Sequence, residues 1–172
     1  TGAPFYSATL GLQPDLMSLG KALGAGVPIG AILLSQRVAD AISPGDHGTT
    51  YGGNLLACRA ALVFLEAMED GGFERVRQAG VTLGRGLDAL AQRYPVITDI
   101  RGAGLMRGLE MPADTAAQVV EGALARRLLV NRTAGDVVRM LPPLTVSDAE
   151  IDKAVGMLAE VLDTLQSGES DV

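Results

Sequence analysis

The sequence is poor in the residues that build covalent or metal-bound frameworks, because it has one cysteine and one histidine. The lone Cys58 excludes a disulfide within the chain. Its apolar helical setting predicts a buried, reduced thiol, which is typical of the cytoplasm. His47 and Cys58 together cannot supply a tetrahedral metal site, so we expect no metal. We expect His47 to be a loop residue that forms hydrogen bonds, not a catalytic base.

Excess positive charge and long apolar runs are also missing. The formal net charge of −6 argues against nucleic acid or an anionic membrane as the main partner. The longest stretch without a charged residue, 22–36, is shorter than the ~20 residues that cross a bilayer, and glycine and proline interrupt it. With three Tyr, three Phe and no Trp, the core is expected to consist of Leu, Val, Ile and Ala.

Lysine is scarce as well, with two lysines against twelve arginines. Lys21 lies among Gly20, Ala22, Leu23 and Gly24. Apolar surroundings favour a neutral amine, which can attack a carbonyl carbon, and arginine cannot replace lysine in that role. Lys21 is therefore a candidate for a lysine that forms a Schiff base. The alternative from these residues alone is a solvated surface lysine.

Single positions exclude two nucleotide-binding patterns. A Walker loop needs glycine five residues before the Gly-Lys pair and Ser or Thr after it, where this chain has Asp15 and Ala22. The segment RGAGLMRGLE (101–110) resembles a dinucleotide fingerprint, but Arg107 takes the place of the third glycine. Neither pattern supports nucleotide binding.

Hydrophobic periodicity predicts helices that alternate with strands, which is typical of an α/β protein. The best-defined helix is an amphipathic stripe from Phe73 to Tyr94, which Pro95 ends. Ser147 and Glu150 predict a capping box before the last helix, and the tail 166–172 is expected to be frayed. The other predicted elements are a buried strand at 28–34, a short helix at 37–42, a loop at 47–53, a helix at 54–70 that is either buried on most sides or bridges two units, strands at 96–100, 104–111, 128–131 and 137–141, and a helix at 115–127.

Three polar residues are candidate ligand contacts. Arg139 shares a predicted strand face with Val137 and Leu141, so its guanidinium needs an anion. That anion is either a substrate carboxylate or an internal Asp or Glu, unless Arg139 lies on an edge strand and reaches solvent. Thr49 and Thr50 lie in a glycine-rich loop, where they either hold a phosphate or carboxylate oxygen or form ordinary turn and helix-cap contacts.

Four segments together resemble motifs of the class III pyridoxal-phosphate-dependent aminotransferases, most closely the acetylornithine aminotransferases among them. They follow one another in the family's order: PDLMSLGKALGAGVPIGAIL (14–33), HGTTYGGNLLAC (47–58), RGAGLMRGLE (101–110) and NRTAGDVVRMLPPLTVS (131–147). The resemblance implies an α/β protein of the PLP-dependent transferase fold type I. It also implies three parts: the C-terminal part of the large cofactor-binding domain (1–53), a connecting helix (54–70) and an α/β C-terminal small domain (71–172).

The same resemblance implies roles for four residues. Lys21 would form the Schiff base with pyridoxal 5'-phosphate, and Thr50 would bind the cofactor phosphate across the interface of a homodimer. Thr49 would lie at the substrate, and Arg139 would hold the substrate α-carboxylate. The expected reaction moves an amino group from N-acetylornithine to 2-oxoglutarate, in the arginine biosynthesis of the cytoplasm.

The chain also departs from the family pattern. Leu55 stands where the family usually has proline, which should alter the helix start modestly. Family members are more than twice as long, and the aspartate for the pyridine nitrogen and the phosphate loop would lie before Thr1. We therefore expect a C-terminal fragment that is inactive alone. The alternatives are a class III enzyme for ornithine, succinylornithine or 4-aminobutyrate, and a truncated interaction module without catalysis.

Overall fold

The computed structural model describes residues 1–168, which form two compact units. The N-terminal unit is Ala3–Phe73. The C-terminal unit consists of Thr1–Gly2 together with the chain from Glu74 onward.

The N-terminal unit is built on one antiparallel strand pair. Leu16 of the first strand is opposite Leu34 of the second, and Leu19 is opposite Ala31. A 3-10 turn follows the first strand, and a long helix packs against that turn. The elements are α1 (Tyr6–Thr9), β1 (Leu16–Leu19), the 3-10 turn (Lys21–Gly24), β2 (Ala31–Leu34), α2 (Gln36–Ala39) and α3 (Leu55–Ala67).

Asp15 ties the two ends of the strand pair together. Its carboxylate accepts a hydrogen bond from Ser35 Oγ at 2.7 Å and forms an ion pair with Arg37. Its carbonyl oxygen accepts from the Ser35 backbone N–H at 2.9 Å. The Arg37 hydrogen bond, and then the Ser35 hydrogen bond, lower the pKa of the Asp15 carboxyl from its ordinary value. These contacts fix where β1 begins and β2 ends.

The predicted strand and helix of this unit exist, but their predicted burial is wrong. Ile32 of β2 is 65% exposed, and α3 buries only Ala57 and Ala61. Cys58 is exposed, so the predicted buried thiol is wrong. The physical reason is that, among the described residues, no further layer covers these faces. Asn54 caps α3 by accepting a hydrogen bond from the Ala57 backbone N–H at 3.0 Å, so the helix begins at Leu55 without proline.

The predicted helix at 54–70 begins one residue too early and ends three residues too late. Regular helix ends at Ala67, and Met68–Gly72 forms a kinked segment before the next helix. Gly71 has φ 81°, a left-handed conformation that glycine adopts without a Cβ penalty. The predicted break at the glycine pair is confirmed.

The C-terminal unit is a four-stranded antiparallel sheet with three helices. The strand order is β3-β4-β6-β5, which leaves β3 and β5 at the edges. The elements are α4 (Phe73–Arg93), β3 (Asp99–Ala103), β4 (Met106–Glu110), α5 (Ala113–Ala125), β5 (Asn131–Thr133), β6 (Val137–Met140) and α6 (Asp148–Ser167). The strand predicted at 128–131 corresponds to β5, which begins three residues later, at Asn131. The other strands overlap their predicted positions.

Leucine and valine side chains fill the core of this unit, as the composition predicts. The α4 stripe is confirmed, since Leu83, Leu87 and Leu90 are buried. Tyr94 is fully buried, and its hydroxyl donates a hydrogen bond to Asp163 Oδ1 at 2.8 Å. The capping box before α6 is also confirmed. Helix α6 continues to Ser167, so the frayed tail is wrong for residues 166–167, and residues 169–172 lie outside the described part.

Candidate functional site

Lys21 occupies an unusual backbone conformation directly after β1. It is the first residue of the 3-10 turn and has φ 53°, in the left-handed region that non-glycine residues rarely adopt. Ala25 closes the same turn at φ 49°, and its N–H donates to the Ala22 carbonyl at 2.9 Å. Each such residue costs on the order of 1–3 kcal/mol, and such strain clusters at functional sites. The turn therefore holds the lysine in a conformation that the sequence does not favour intrinsically.

The Lys21 side chain is exposed on the N-terminal unit. Within residues 1–168 its amine forms no hydrogen bond and no ion pair, so it is free to contact a ligand. Lys21 is exposed although apolar residues follow it, because Gly20 has no side chain and that of Ala22 is small. Gly24 is the buried residue of the turn, where a Cβ would lie 2.9 Å from Ile29 Cγ2.

Thr49 and Thr50 lie in the exposed loop between α2 and α3. Asn54 is the residue that caps α3, so the helix-cap alternative for the two threonines is wrong. In the described part of the chain, neither hydroxyl has a hydrogen-bond partner. A Cβ added at Gly52 would meet Thr49 Cγ2, so the Thr49 side chain packs closely against the backbone of this glycine. Both hydroxyls are therefore available to a ligand.

Arg139 lies on β6, between Gly108 of β4 and Asn131 of β5. Its Nη2 donates to Asn131 Oδ1 at 3.4 Å, while its Nε is buried and lacks an acceptor. No carboxylate among residues 1–168 forms an ion pair with it, so the described structure does not contain the alternative internal salt bridge. The predicted face is wrong at Leu141, because β6 ends at Met140 and Leu141 is 54% exposed.

The candidate residues fall in both units. Lys21, Thr49 and Thr50 belong to the N-terminal unit, together with His47 in its exposed loop, whereas Arg139 belongs to the C-terminal unit. Among the described residues, no group of three or more His, Cys, Asp or Glu side chains could hold a metal ion. None of the helices in that part of the chain is long and apolar enough to span a bilayer.

Sequence reasoning missed two residues that accompany Arg139. Asn131 and Gly108 are its direct neighbours on the adjacent strands, and the antiparallel register that places them there is not visible in a local pattern. It also missed the role of Arg107, whose guanidinium donates to the carbonyl oxygens of Gly104 at 3.0 Å and Gly80 at 3.4 Å. Arg107 thus joins the β3–β4 turn to α4.

The C-terminal unit contains an apolar groove of about 450 Å³. It runs between residues 128–130, residues 140–146 and the first two turns of α6, which contribute Glu150 and Ala154. Arg139 does not line it, although Met140 and Leu141 do. The Arg139 side chain therefore does not face this groove, and a ligand in the groove would not contact it.

The family model for class III aminotransferases matches residues 1–162. Acetylornithine aminotransferase of Methanothermobacter thermautotrophicus is 44% identical over 167 residues, which cover 96% of this chain and 42% of that protein. The chain thus spans about two fifths of the length of the curated relatives it matches.

Solved structures agree with this match. The acetylornithine aminotransferase from Elizabethkingia anophelis has a TM-score of 0.85 at 31% identity, over 94% of this chain and 42% of that one. The ornithine aminotransferase from Toxoplasma gondii, described with partial occupancy of PLP at its active site, has a TM-score of 0.87 at 32% identity, over 98% and 41%. The chain therefore belongs to the class III aminotransferases, and its mixed helices and sheets have the fold type I of the PLP-dependent transferases.

Proposed function

We propose that this chain is the C-terminal part of an aminotransferase that moves an amino group from N-acetylornithine to 2-oxoglutarate in arginine biosynthesis. The observation that carries the proposal is the exposed Lys21, held at φ 53° in the turn after β1. The names of the relatives support the choice of substrate, because several acetylornithine aminotransferases are 41–46% identical to this chain.

The residues present fit pyridoxal 5'-phosphate. A primary amine can bond to the aldehyde carbon of the cofactor, and the hydroxyl of Thr50 can donate to its phosphate. In the described part of the chain, neither group is engaged by another protein group. When bound, the cofactor supplies the electron sink that amino-group transfer needs. Lys21 would hold it covalently, and Thr50 would hold its phosphate, from the second subunit of a homodimer.

The side chains of this chain would supply proton transfer and substrate binding. The Lys21 Nζ atom would be the base that takes a proton from the substrate Cα. Arg139 binds the α-carboxylate through its planar guanidinium, and Thr49 lies beside the substrate. Amino donor and 2-oxo acid use the site in turn, so Arg139 contacts both.

The test is a pair of lysine variants in the full-length protein. Lys21→Ala should abolish transamination, while Lys153→Ala should retain wild-type kcat and KM because Lys153 is exposed on α6. Lys153 is the only other lysine of the chain, so it is a matched control. Wild-type turnover by Lys21→Ala would show that the amine is not catalytic.

A second candidate function is the transfer of an amino group from ornithine. The Toxoplasma gondii ornithine aminotransferase matches 98% of the chain, which supports this alternative. A panel of N-acetylornithine, ornithine, succinylornithine and 4-aminobutyrate, each with 2-oxoglutarate, separates the donors by kcat/KM. N-acetylornithine should have the highest value, and a higher value for another donor replaces our choice of substrate.

Domain division and assembly are also proposals. We divide the chain into the end of the large domain (1–53), a connecting segment (54–70) that contains α3, and a small domain (71–172). The apolar surface of α3 supports a homodimer, since Leu55 is 86% exposed and Leu56 is 72% exposed. The single cysteine, which has no internal disulfide partner, is compatible with the reducing cytoplasm.

We further propose that the 172-residue chain alone binds the cofactor weakly and has little transaminase activity. The support for this proposal is that the chain spans about two fifths of the length of its relatives. Robust turnover by the purified chain contradicts this proposal. Inactivity of the full-length protein as well would favour the non-catalytic interaction module.

A further inference from the structure

We propose that Asn131 is a positioning residue for Arg139, which it orients toward the substrate carboxylate without neutralising it. This inference rests on the proposed function, in which Arg139 receives that carboxylate. It gives a role to a residue on a second strand, to which the sequence analysis assigned none.

The cross-strand register brings the two side chains together. Asn131 of β5 is directly opposite Arg139 of β6. Side chains in directly opposed positions project from the same face of an antiparallel pair, close enough to interact. The hydrogen bond from Arg139 Nη2 to Asn131 Oδ1 at 3.4 Å uses this proximity.

On its other side, Arg139 has no side-chain neighbour in the row. The position opposite it on β4 is Gly108, and beyond Gly108 lies Arg101 of β3. Arg101 is already paired, with Glu110 at 2.6 Å and Asp99 at 3.5 Å. The carboxylates on this face of the sheet are thus held by Arg101, and Asn131 is the residue that restrains Arg139.

The choice of an amide at position 131 has an electrostatic consequence. A neutral amide oxygen accepts one hydrogen bond from the guanidinium and leaves its full positive charge in place. The buried Nε, which has no acceptor, is the other part of the donor set that a ligand carboxylate can satisfy. An aspartate at the same position would instead bind the guanidinium itself and compete with the substrate.

Steady-state kinetics on the full-length holoenzyme tests this inference. Asn131→Ala should raise KM for both the amino donor and 2-oxoglutarate by about tenfold, as for one lost hydrogen bond to a charged group, with kcat within about twofold. Asn131→Asp should raise KM further, because the new carboxylate occupies the guanidinium. Thr133→Ala, two residues along β5 and opposite Val137, is the matched control and should leave KM unchanged.

A double-mutant cycle separates positioning from a general structural effect. In an Arg139→Lys background, Asn131→Ala should change KM by no more than about twofold, since the group that it orients is gone. If the protein shows no turnover, the same cycle is run on glutarate binding by calorimetry, with dissociation constants in place of KM.

The outcomes distinguish this inference from the proposed function. If Arg139→Lys raises KM but both Asn131 variants match the wild type, the positioning role is wrong and the role of Arg139 stands. If Arg139→Lys changes neither KM nor glutarate binding, the carboxylate assignment fails and the inference fails with it. Equal effects of Asn131→Ala in both backgrounds would also overturn the positioning role.

Discussion

Gly80 of α4 lies directly against Gly104 of the β3–β4 turn. A Cβ added at Gly80 would lie 2.7 Å from the Gly104 Cα, and one added at Gly104 would lie 2.8 Å from the Thr1 Cα. Gly104 also has φ 54°, which disfavours a side chain. The backbones of the helix, the turn and the first residue of the chain are therefore stacked at distances that only glycine permits.

This stacking predicts that Gly80→Ala destabilises the chain. The added methyl group must push the backbone of the β3–β4 turn away, and overpacking of this kind costs about 1–3 kcal/mol, more than the helix propensity that alanine gains. The matched control is Gly156→Ala in α6, where a Cβ meets nothing within 4 Å. This control should stabilise the chain by up to about 1 kcal/mol. Chemical denaturation measures both, and equal effects of the two substitutions would contradict the close approach.

The hydrogen bonds of the Arg107 guanidinium indicate that this side chain stabilises the fold. It donates to three backbone carbonyls, those of Gly80, Gly102 and Gly104. Arg107→Ala leaves these oxygens without that donor, so the free energy of unfolding should fall by about 1–3 kcal/mol. Arg107→Lys should recover little of the lost free energy of unfolding, because an ammonium group lacks the planar, forked set of donors that a guanidinium has. Arg75→Ala, at an exposed position of α4, should change stability by less than about 0.5 kcal/mol. A loss of equal size at both positions would show that the three contacts contribute little.

The capping box of α6 predicts a pH dependence. Hydrogen bonds from the Ser147 backbone N–H, and then from its hydroxyl, lower the pKa of Glu150 from its ordinary value of 4.5. A carboxyl group with a lowered pKa in the folded state stabilises the fold above its unfolded pKa, and this contribution is lost as the pH falls through the folded pKa. Glu150→Gln should therefore be less stable than the wild type at neutral pH, and the difference should shrink in acid.

The Ser147→Ala background provides the control for that prediction. Without the hydroxyl, the Glu150→Gln substitution should have a smaller effect at neutral pH, because part of the reciprocal cap is already gone. Unfolding curves at several pH values give the comparison. If the difference in the free energy of unfolding between wild type and Glu150→Gln grows in acid, the lowered pKa of Glu150 in the folded state is contradicted.

The exposed leucines at the start of α3 predict an assembly defect. Replacing Leu55 and Leu56 with Asp places charges on the surface that we propose is covered in the homodimer, so the full-length protein should become monomeric. The matched control is Leu124→Asp on α5, where the wild-type side chain is 59% exposed. Sedimentation gives the mass. An unchanged dimer in the double variant would place the interface elsewhere.

Local chemistry made part of this structure predictable. The α4 stripe places Leu83, Leu87 and Leu90 on one face through helical periodicity alone, and the capping box needs only Ser147 and Glu150 at the right spacing. The lysine among small residues identified Lys21 as a candidate in the same local way. The left-handed backbone conformation of Lys21 was not predictable, because no residue next to it in the sequence requires a positive φ there.

What could not be predicted depends on residues far apart in sequence. The apolar residues of β2 and α3 indicated burial, but the layers that would cover Ile32 and Leu56 are not among the described residues. The pairing of Asn131 with Arg139 depends on strand register, and a shift by one residue would separate them. The three contacts of Arg107 likewise depend on how α4 meets the β3–β4 turn.

The role of Lys21 can be tested directly by finding which amine carries the cofactor. The full-length protein is incubated with pyridoxal 5'-phosphate, reduced with borohydride, digested and analysed by mass spectrometry. Reduction fixes the cofactor to the amine that holds it, and we predict a phosphopyridoxyl group on the peptide that contains Lys21, with little or none on the peptide that contains Lys153. A label absent from Lys21, or present equally on both lysines, would contradict the assignment of Lys21 as the cofactor lysine.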